Sequence, residues 1–185
     1  MRHPDVDRFG RTQGDRLREL LLLRHAKSSR NDTTLADFDR PLSGRGRKDA
    51  PRMGALIAAR GWTPDHAIVS PSLRTRQTWD LVRPALGNVA TAYVETIYEA
   101  APEAILAAIR AAPPRARRLL VIGHNPGLED LSAILASERS DAPSLATLRE
   151  KFPTGALARF VVEAEWRNLA GGGARLTDFV RPKDW

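Results

Sequence analysis

Strand-length runs of aliphatic residues alternate with longer segments of helical periodicity along most of this chain. Strands alternating with helices form parallel sheets with helices on their faces, so the pattern predicts an α/β fold: a three-layer α/β/α sandwich around a mostly parallel sheet. The glycine-rich stretch 170–174 predicts a hairpin between the last two strands, which puts an antiparallel strand at the sheet edge. The predicted strands lie near residues 18–24, 66–70, 91–97, 118–123, 157–164 and 175–181, and the predicted helices near residues 44–60, 72–86, 102–112 and 126–137.

One compact domain is expected for residues 18–185, because 185 residues with 42% hydrophobic content suit a single core. Residues 1–17 are polar and lack a period, and we expect them to form a loose leader before the first strand. No aliphatic run approaches the ~20 residues of a membrane span, and the start of the chain lacks the apolar centre of a signal peptide. The sequence therefore predicts a cytoplasmic protein that has no membrane partner.

The composition narrows the possible chemistry. The chain has no cysteine, which excludes disulfides, thiolate zinc sites and cysteine nucleophiles. Its formal net charge of +7 suits an anionic partner. Aromatic residues make up only 6% of the chain and do not alternate with basic ones, a composition that disfavours nucleic-acid binding. We therefore expect the partner to be a phosphorylated protein or a small phosphorylated molecule, and not a nucleic acid.

Basic side chains follow three of the predicted strands at the point where each strand ends. Arg24 and His25 end the run Leu20–Leu23, and His124 ends the run 119–123. Arg74 falls in the first turn of the helix after the strand near 66–70. Because ligands of open α/β sheets bind at the carboxyl ends of the strands, these four side chains are expected to meet at one rim. Such a cluster of like charge is costly unless an anion binds within it.

A phosphoryl group is the anion that suits such a cluster. In the transition state of its transfer, the negative charge spreads over three equatorial oxygens, which the planar fork of arginine binds in pairs. Imidazole is a competent nucleophile near neutral pH. The sequence therefore favours phosphoryl transfer to a histidine, without a metal or other cofactor.

The motifs around these residues resemble those of the histidine phosphatase superfamily, also called the phosphoglycerate mutase-like family, and within it the small SixA-type phosphohistidine phosphatases. The resemblance covers residues 19–136 clearly and continues to Pro182. Ala26 replaces the glycine of the family's Arg-His-Gly signature, as in the SixA-like branch, and Lys27 stands where mutases have Glu. The matching motifs are Leu23-Arg24-His25-Ala26, Arg40-Pro41-Leu42-Ser43-x-x-Gly46, Ser70-Pro71-x-x-Arg74-x-x-Gln77-Thr78 and Gly123-His124-Asn125-Pro126-Gly127.

The resemblance implies a phosphoglycerate mutase-like fold and a two-step mechanism. His25 would attack phosphorus to form a phosphohistidine, which water then hydrolyses. Arg24, Arg74 and a protonated His124 would bind the transferring oxygens. Glu99 matches the residue that relatives use to protonate the leaving group, although it is equally expected to shape the pocket or orient water.

Four more residues are candidate substrate-binding groups. Asn31 follows His25 by six residues, as in the mutase-type pattern, and Ser43 belongs to the family's Leu-Ser-x-x-Gly element. Lys27 lies close enough to the rim to steer anions, although one solvated cation among 29 Lys and Arg explains it as well. Asn125 follows His124 directly.

Two other classes of function remain open from the sequence. A metallohydrolase would use His25, His124 and Asp37, Asp39 or Asp130, but the paired ligand spacing of such sites is missing. A non-catalytic domain would bind phosphoproteins or nucleic acid through the basic surface.

Within the family, the sequence favours phosphohistidine on a protein as the substrate. Small phosphomonoesters or sugar phosphates are the alternative. Mutase activity is less expected, because 185 residues leave little room for extra loops over the site.

Overall fold

The computed structural model describes residues 17–184, so the predicted leader lies, apart from Leu17, outside the described residues. Six strands form one sheet, and five helices of at least nine residues connect them. The strands are β1 (Arg18–Arg24), β2 (His66–Val69), β3 (Ala90–Tyr93), β4 (Arg118–Gly123), β5 (Leu157–Val162) and β6 (Ala174–Val180). The helices are α1 (Gly44–Ala59), α2 (Leu73–Val82), α3 (Pro102–Arg110), α4 (Gly127–Leu135) and α5 (Ala142–Glu150). No helix in this part of the chain is both long and apolar enough to cross a membrane.

The strand order is β3-β2-β4-β1-β5-β6. The pairs β1/β4, β2/β4 and β2/β3 are parallel, and β5 runs antiparallel to both β1 and β6. The mostly parallel sheet is therefore confirmed, and the last two strands form the antiparallel hairpin at its edge.

Each face of the sheet carries a separate hydrophobic core. Leu20 and Leu22 of β1 are fully buried on one face, while Leu21 and Leu23 are buried on the other, as the period-two geometry of a strand requires. Each fully buried leucine contributes about 1.5–3 kcal/mol to folding. The first core includes residues of α3, α4 and α5, and the second includes residues of α1 and α2. This arrangement is the predicted three-layer sandwich.

Several element boundaries differ from the prediction. The third strand is shorter than expected and is followed by a 3-10 turn, Glu95–Ile97. Helix α1 does match its predicted range of 44–60, and it continues through Pro51. Helix α5 was not predicted, because only Leu148 of its nine residues is buried and the segment has no apolar stripe. Its amino end nevertheless carries a capping signal: the side chain of Asp141 accepts a hydrogen bond from the backbone N of Ser144.

The register of the central strands fixes where the site can form. In the parallel pair β1/β4, Arg24 lies opposite Gly123, so His25 and His124 leave the sheet at the same level. In the pair β2/β4, Val69 lies opposite Ile122, which places the segment after β2 beside them. Three adjacent strands thus end at one rim, as expected.

Close packing holds α1 against the loop that follows β1. A Cβ atom at position 46 would collide with the carbonyl oxygen of Lys27, so only glycine lets the helix approach this closely. The hydroxyl of Ser43 caps the helix by accepting from the Gly46 N at 3.2 Å. Gln77 of α2 accepts a hydrogen bond from the Leu42 N at 2.8 Å, which joins two of the sequence motifs.

Candidate active site

Backbone hydrogen bonds from three directions hold His25 in place. Its own N donates to the Gly123 O at 3.1 Å, and the Gly155 N donates to the His25 O at the same distance. The next N, of Ala26, donates to the Thr78 Oγ1 at 3.0 Å. His25 is only 7% exposed, so its imidazole is buried on a loop held by these hydrogen bonds.

The hydrogen bond of the His25 ring fixes its tautomer. Its Nδ1 lies 2.8 Å from the Ala26 carbonyl oxygen. A carbonyl oxygen can only accept, so Nδ1 must carry the proton and donate it. The neutral ring therefore presents its lone pair at Nε2, which is the atom able to attack an electrophile.

The contacts of His124 assign the opposite tautomer. Its Nδ1 lies 3.2 Å from the Arg74 Nη2, and its Nε2 lies 2.8 Å from the Ser70 Oγ. Because a guanidinium group only donates, Nδ1 accepts and Nε2–H donates to Ser70. The His124 and His25 rings face each other with centroids 5.2 Å apart and planes tilted by 53°.

Two arginines complete a group that we call the basic cluster: Arg24, His25, Arg74 and His124. The Arg74 side chain is only 2% exposed, although it carries a full charge. Arg24 Nη1 donates to the Phe152 carbonyl oxygen at 2.7 Å. The Nε atoms of both arginines are buried without a protein partner. Unpartnered cationic donors are costly in a buried site, and an anion bound within the cluster would satisfy them.

Burial and neighbouring cations determine the charge of both histidines. Burial is the main reason that the pKa of His25 falls to about 3, and repulsion from His124 and Arg74 adds to it. For His124, burial and then Arg74 lower the pKa to about 3 as well. Both rings are therefore neutral at pH 7 in the ligand-free site. The protonated His124 expected from the sequence needs the negative charge of a bound phosphoryl group, which would raise its pKa.

Asp37 is the site residue that sequence reasoning missed, except as a possible metal ligand. It lies in the 3-10 turn Asp37–Asp39, and its Oδ2 is 2.8 Å from the Arg74 Nη2. Tyr98 donates its hydroxyl to the same carboxylate oxygen at 2.9 Å. Burial alone would raise the pKa of Asp37, but the Tyr98 hydrogen bond and the charge of Arg74 hold it below its usual range. Asp37 thus accepts from the Arg74 Nη2, one of the donors that a bound phosphoryl group would use.

Glu99 also reaches the basic cluster, with its Oε1 3.4 Å from the Arg74 Nη2. Burial, followed by the hydrogen bond and the charge of Asp37, raises its pKa. Its backbone has φ of 45°, a left-handed conformation that is strained for a residue other than glycine. A carboxyl group with a raised pKa beside Arg74 is a candidate proton donor.

The four candidate substrate-binding residues have different positions. Asn31 lies in an exposed loop, and its backbone N donates to the Ser29 Oγ at 3.2 Å. Besides capping α1, the Ser43 hydroxyl donates to the Lys27 carbonyl oxygen, so it supports the loop after β1. The described contacts of Asn31 and Ser43 do not reach the basic cluster.

Lys27 and Asn125 lie closer to the cluster. The Lys27 side chain is exposed and lines a groove beside Arg24. Asn125 donates through Nδ2 to the Glu129 Oε2 at 2.8 Å and to the Phe152 carbonyl oxygen at 3.0 Å. The Phe152 carbonyl oxygen therefore accepts hydrogen bonds from both Arg24 and Asn125, so one backbone group holds both side chains.

Within residues 17–184, no three His, Asp or Glu side chains are grouped as metal ligands.

Comparisons with known proteins identify relatives of this chain in sequence and in fold. A family model described as histidine phosphatase superfamily (branch 1) matches residues 20–102. The uncharacterized protein Rv1276c of Mycobacterium tuberculosis is 35% identical over 162 residues, which cover 87% of this chain and 100% of that protein.

Two solved structures, each described as a SixA protein proposed to be a phosphohistidine phosphatase, are similar to most of this chain. The one from Agrobacterium tumefaciens is 30% identical with a TM-score of 0.76, and the match covers 89% of this chain and 98% of that one. The one from Nakamurella multipartitia is 28% identical with a TM-score of 0.78, and the match covers 90% of this chain and 96% of that one.

Proposed function

Because this chain belongs to the histidine phosphatase superfamily, in its SixA-type branch, we propose that it is a metal-independent phosphohydrolase whose nucleophile is His25. The membership supports phosphatase activity. The observation that carries the proposal is the basic cluster itself. A neutral His25 with its lone pair on Nε2 lies beside a second imidazole and two guanidinium groups, the buried Arg74 and the partly buried Arg24.

In the first step, His25 Nε2 attacks phosphorus in line with the leaving group. A P–N bond to the enzyme forms as the bond from phosphorus to the leaving atom breaks. Arg24 and Arg74 bind the equatorial oxygens, and His124, protonated once the dianion is bound, donates to one of them. His25 Nδ1 keeps its proton and donates it in a hydrogen bond to the Ala26 carbonyl oxygen, which stabilises the positive charge that develops on the ring.

In the second step, water attacks the phosphohistidine on the face that the leaving group has vacated. The P–N bond breaks, inorganic phosphate departs, and His25 regains its Nε2 lone pair. The water loses a proton in this step, and the Glu99 carboxylate, having given its own proton to the leaving group, would accept it.

We infer that the substrate is phosphohistidine on a protein. The two similar solved structures are themselves proposed to act on phosphohistidine. An imidazole leaving group needs less protonation than an alkoxide, which suits a site whose only candidate acid, among the described residues, is the half-exposed Glu99. Hydrolysis of small phosphomonoesters or sugar phosphates is the alternative within the same chemistry.

A substrate panel in excess chelator tests the proposal. Phosphoramidate, p-nitrophenyl phosphate, sugar phosphates and a phosphohistidine-bearing phosphotransfer protein would be compared at equal enzyme concentration. We expect turnover to persist with the chelator and kcat/KM to be highest for the phosphoprotein. Activity that disappears with the chelator and returns with added metal would support a metallohydrolase instead. No turnover, together with salt-dependent nucleic-acid binding, would support a binding domain.

The role of Glu99 can be separated from that of the basic cluster by the substrate's leaving group. The Glu99→Gln variant is expected to lose about 10²-fold in kcat on an alkyl phosphate, whose leaving group needs a proton. The loss on p-nitrophenyl phosphate should be less than about threefold, because a nitrophenolate leaves without one.

Glu95→Gln is the matched control for this experiment. Glu95 is exposed and lies in the neighbouring 3-10 turn, four residues before Glu99. The substitution Glu95→Gln therefore removes the same negative charge close to Glu99 without changing Glu99 itself. The control should keep wild-type rates on both substrates. An equal loss on both substrates in Glu99→Gln would show that Glu99 shapes the site and does not act as the acid.

A further inference from the structure

A second basic feature lies beside the active site. It is an open groove of about 560 Å³ whose lining includes the Arg24 side chain and three of the chain's four lysines. We call it the lysine groove. Among the residues that the structure describes, Glu150 supplies the one carboxylate that lines it. The cations that line it are Arg24, Lys27, Arg45, Lys151, Arg181 and Lys183.

The positive charge of the lysine groove is only partly neutralised. Arg181 pairs with Glu150 at 3.2 Å and with Asp184 at 3.0 Å, and Arg45 pairs with Asp49 at 3.2 Å. The three lysines that line the groove have no carboxylate within ion-pair distance among residues 17–184. The groove therefore keeps an excess of positive charge facing solvent.

Arg24 connects this groove to the chemistry. Its charge contributes to the lowered pKa of both His25 and His124, so it acts electrostatically on the basic cluster while it also lines the groove. Its guanidinium is held by the Phe152 carbonyl, and the neighbours Lys151 and Pro153 line the groove too. A substrate with its phosphoryl group on His25 would thus have its next groups at the mouth of the groove.

We propose that the lysine groove binds an acidic polypeptide segment next to the phosphorylated residue of the substrate. This inference rests on the proposed function, because it defines the kind of phosphoprotein that the site accepts. Carboxylates suit the groove, since Arg45 and Arg181 already bind carboxylates of this chain. The groove is open, and its lysines stand on flexible stems. A small-molecule site would instead enclose most of its ligand.

Two phosphohistidine peptides of equal length test this proposal, one with four Glu and the other with four Gln flanking the phosphorylated residue. The wild-type enzyme is expected to favour the Glu peptide by about tenfold in kcat/KM at low salt, and to lose this preference as salt increases. The double variant Lys151→Glu/Lys183→Glu should favour the Gln peptide. Equal kcat/KM for both peptides in the wild type would overturn the proposal.

The double variant Lys48→Glu/Arg175→Glu is the matched control. Both residues are exposed and lie outside the groove lining, and the change in net charge is the same. It should keep the wild-type preference for the Glu peptide. If it loses that preference as the groove variant does, net charge alone explains the effect and the proposal is wrong.

Fluorescence anisotropy with the unphosphorylated peptides separates this proposal from the proposed function. If neither phosphopeptide is hydrolysed, the proposed function fails. The docking site would still be supported if the wild type binds the Glu peptide more tightly than the Gln peptide and the groove variant loses this difference. Tripolyphosphate is the competing small polyanion. If the groove variant loses tripolyphosphate binding but binds the Glu peptide as the wild type does, the groove does not serve a polypeptide.

Discussion

The His25→Asn variant is expected to lose at least about 10⁴-fold in kcat on every substrate of the enzyme, because both nitrogens of the other imidazole, His124, are already hydrogen-bonded to Ser70 and Arg74. Asparagine is chosen because its amide N–H can replace the Nδ1–H that donates to the Ala26 carbonyl. The loop after β1 should therefore keep its conformation. Steady-state kinetics on p-nitrophenyl phosphate and on phosphoramidate measure the effect.

His66→Asn is the matched control for this experiment. His66 begins β2 at the opposite end of the sheet from the basic cluster, and we predict a structural role for it. The control should keep kcat within about twofold, and thermal unfolding should show that both variants are folded. A His25→Asn enzyme that is folded and retains more than a tenth of the wild-type kcat would rule out His25 as the nucleophile.

The Arg74→Ala variant has the second largest expected effect, a loss on the order of 10²–10³-fold in kcat/KM. It removes a planar donor of the bound oxygens and one of the two arginines that pair with Asp37, the other being Arg40. Arg74→Lys should recover only part of the rate, since an ammonium group lacks the fork that binds two oxygens at once. The neighbouring cation Arg76 is exposed, and Arg76→Ala should leave kcat/KM nearly unchanged.

A second measurement on Arg74→Ala does not depend on turnover. After burial, the charge of Arg74 is the main cause of the lowered pKa of His124, so its removal makes protonation of that ring easier. An NMR titration should therefore show the pKa of His124 rising from about 3 toward its ordinary value. If kcat/KM falls while the His124 titration is unchanged, Arg74 does not contact that ring in solution.

The sequence predicts much of the fold and the centre of the site, because both depend on local patterns. The leucines of β1 are buried on both faces of the sheet and therefore form a continuous aliphatic run. Such a run identifies an internal parallel strand and the point where it ends. Arg24, His25 and His124 follow those ends directly, so their meeting needs only the rule that parallel strands finish at one rim.

The parts of the site that the sequence does not predict come from loops and from burial. Asp37 lies on a 3-10 turn that no strand precedes, so nothing in its neighbourhood places it against Arg74. The Phe152 carbonyl that binds Arg24 belongs to a backbone group 128 positions away. The ligand-free charge of His124 depends on how deeply its ring is buried, which is a property of the packed molecule.

The most direct test of the central claim is to trap the enzyme during turnover. The wild type would be mixed with a phosphoramidate or phosphohistidine substrate, quenched within milliseconds under alkaline conditions that preserve P–N bonds, digested, and analysed by mass spectrometry. The account predicts one phosphoryl group, on the peptide that contains His25, which disappears when the substrate is exhausted. Phosphate on a different residue, or steady turnover with no phosphorylated peptide at any quench time, would contradict it.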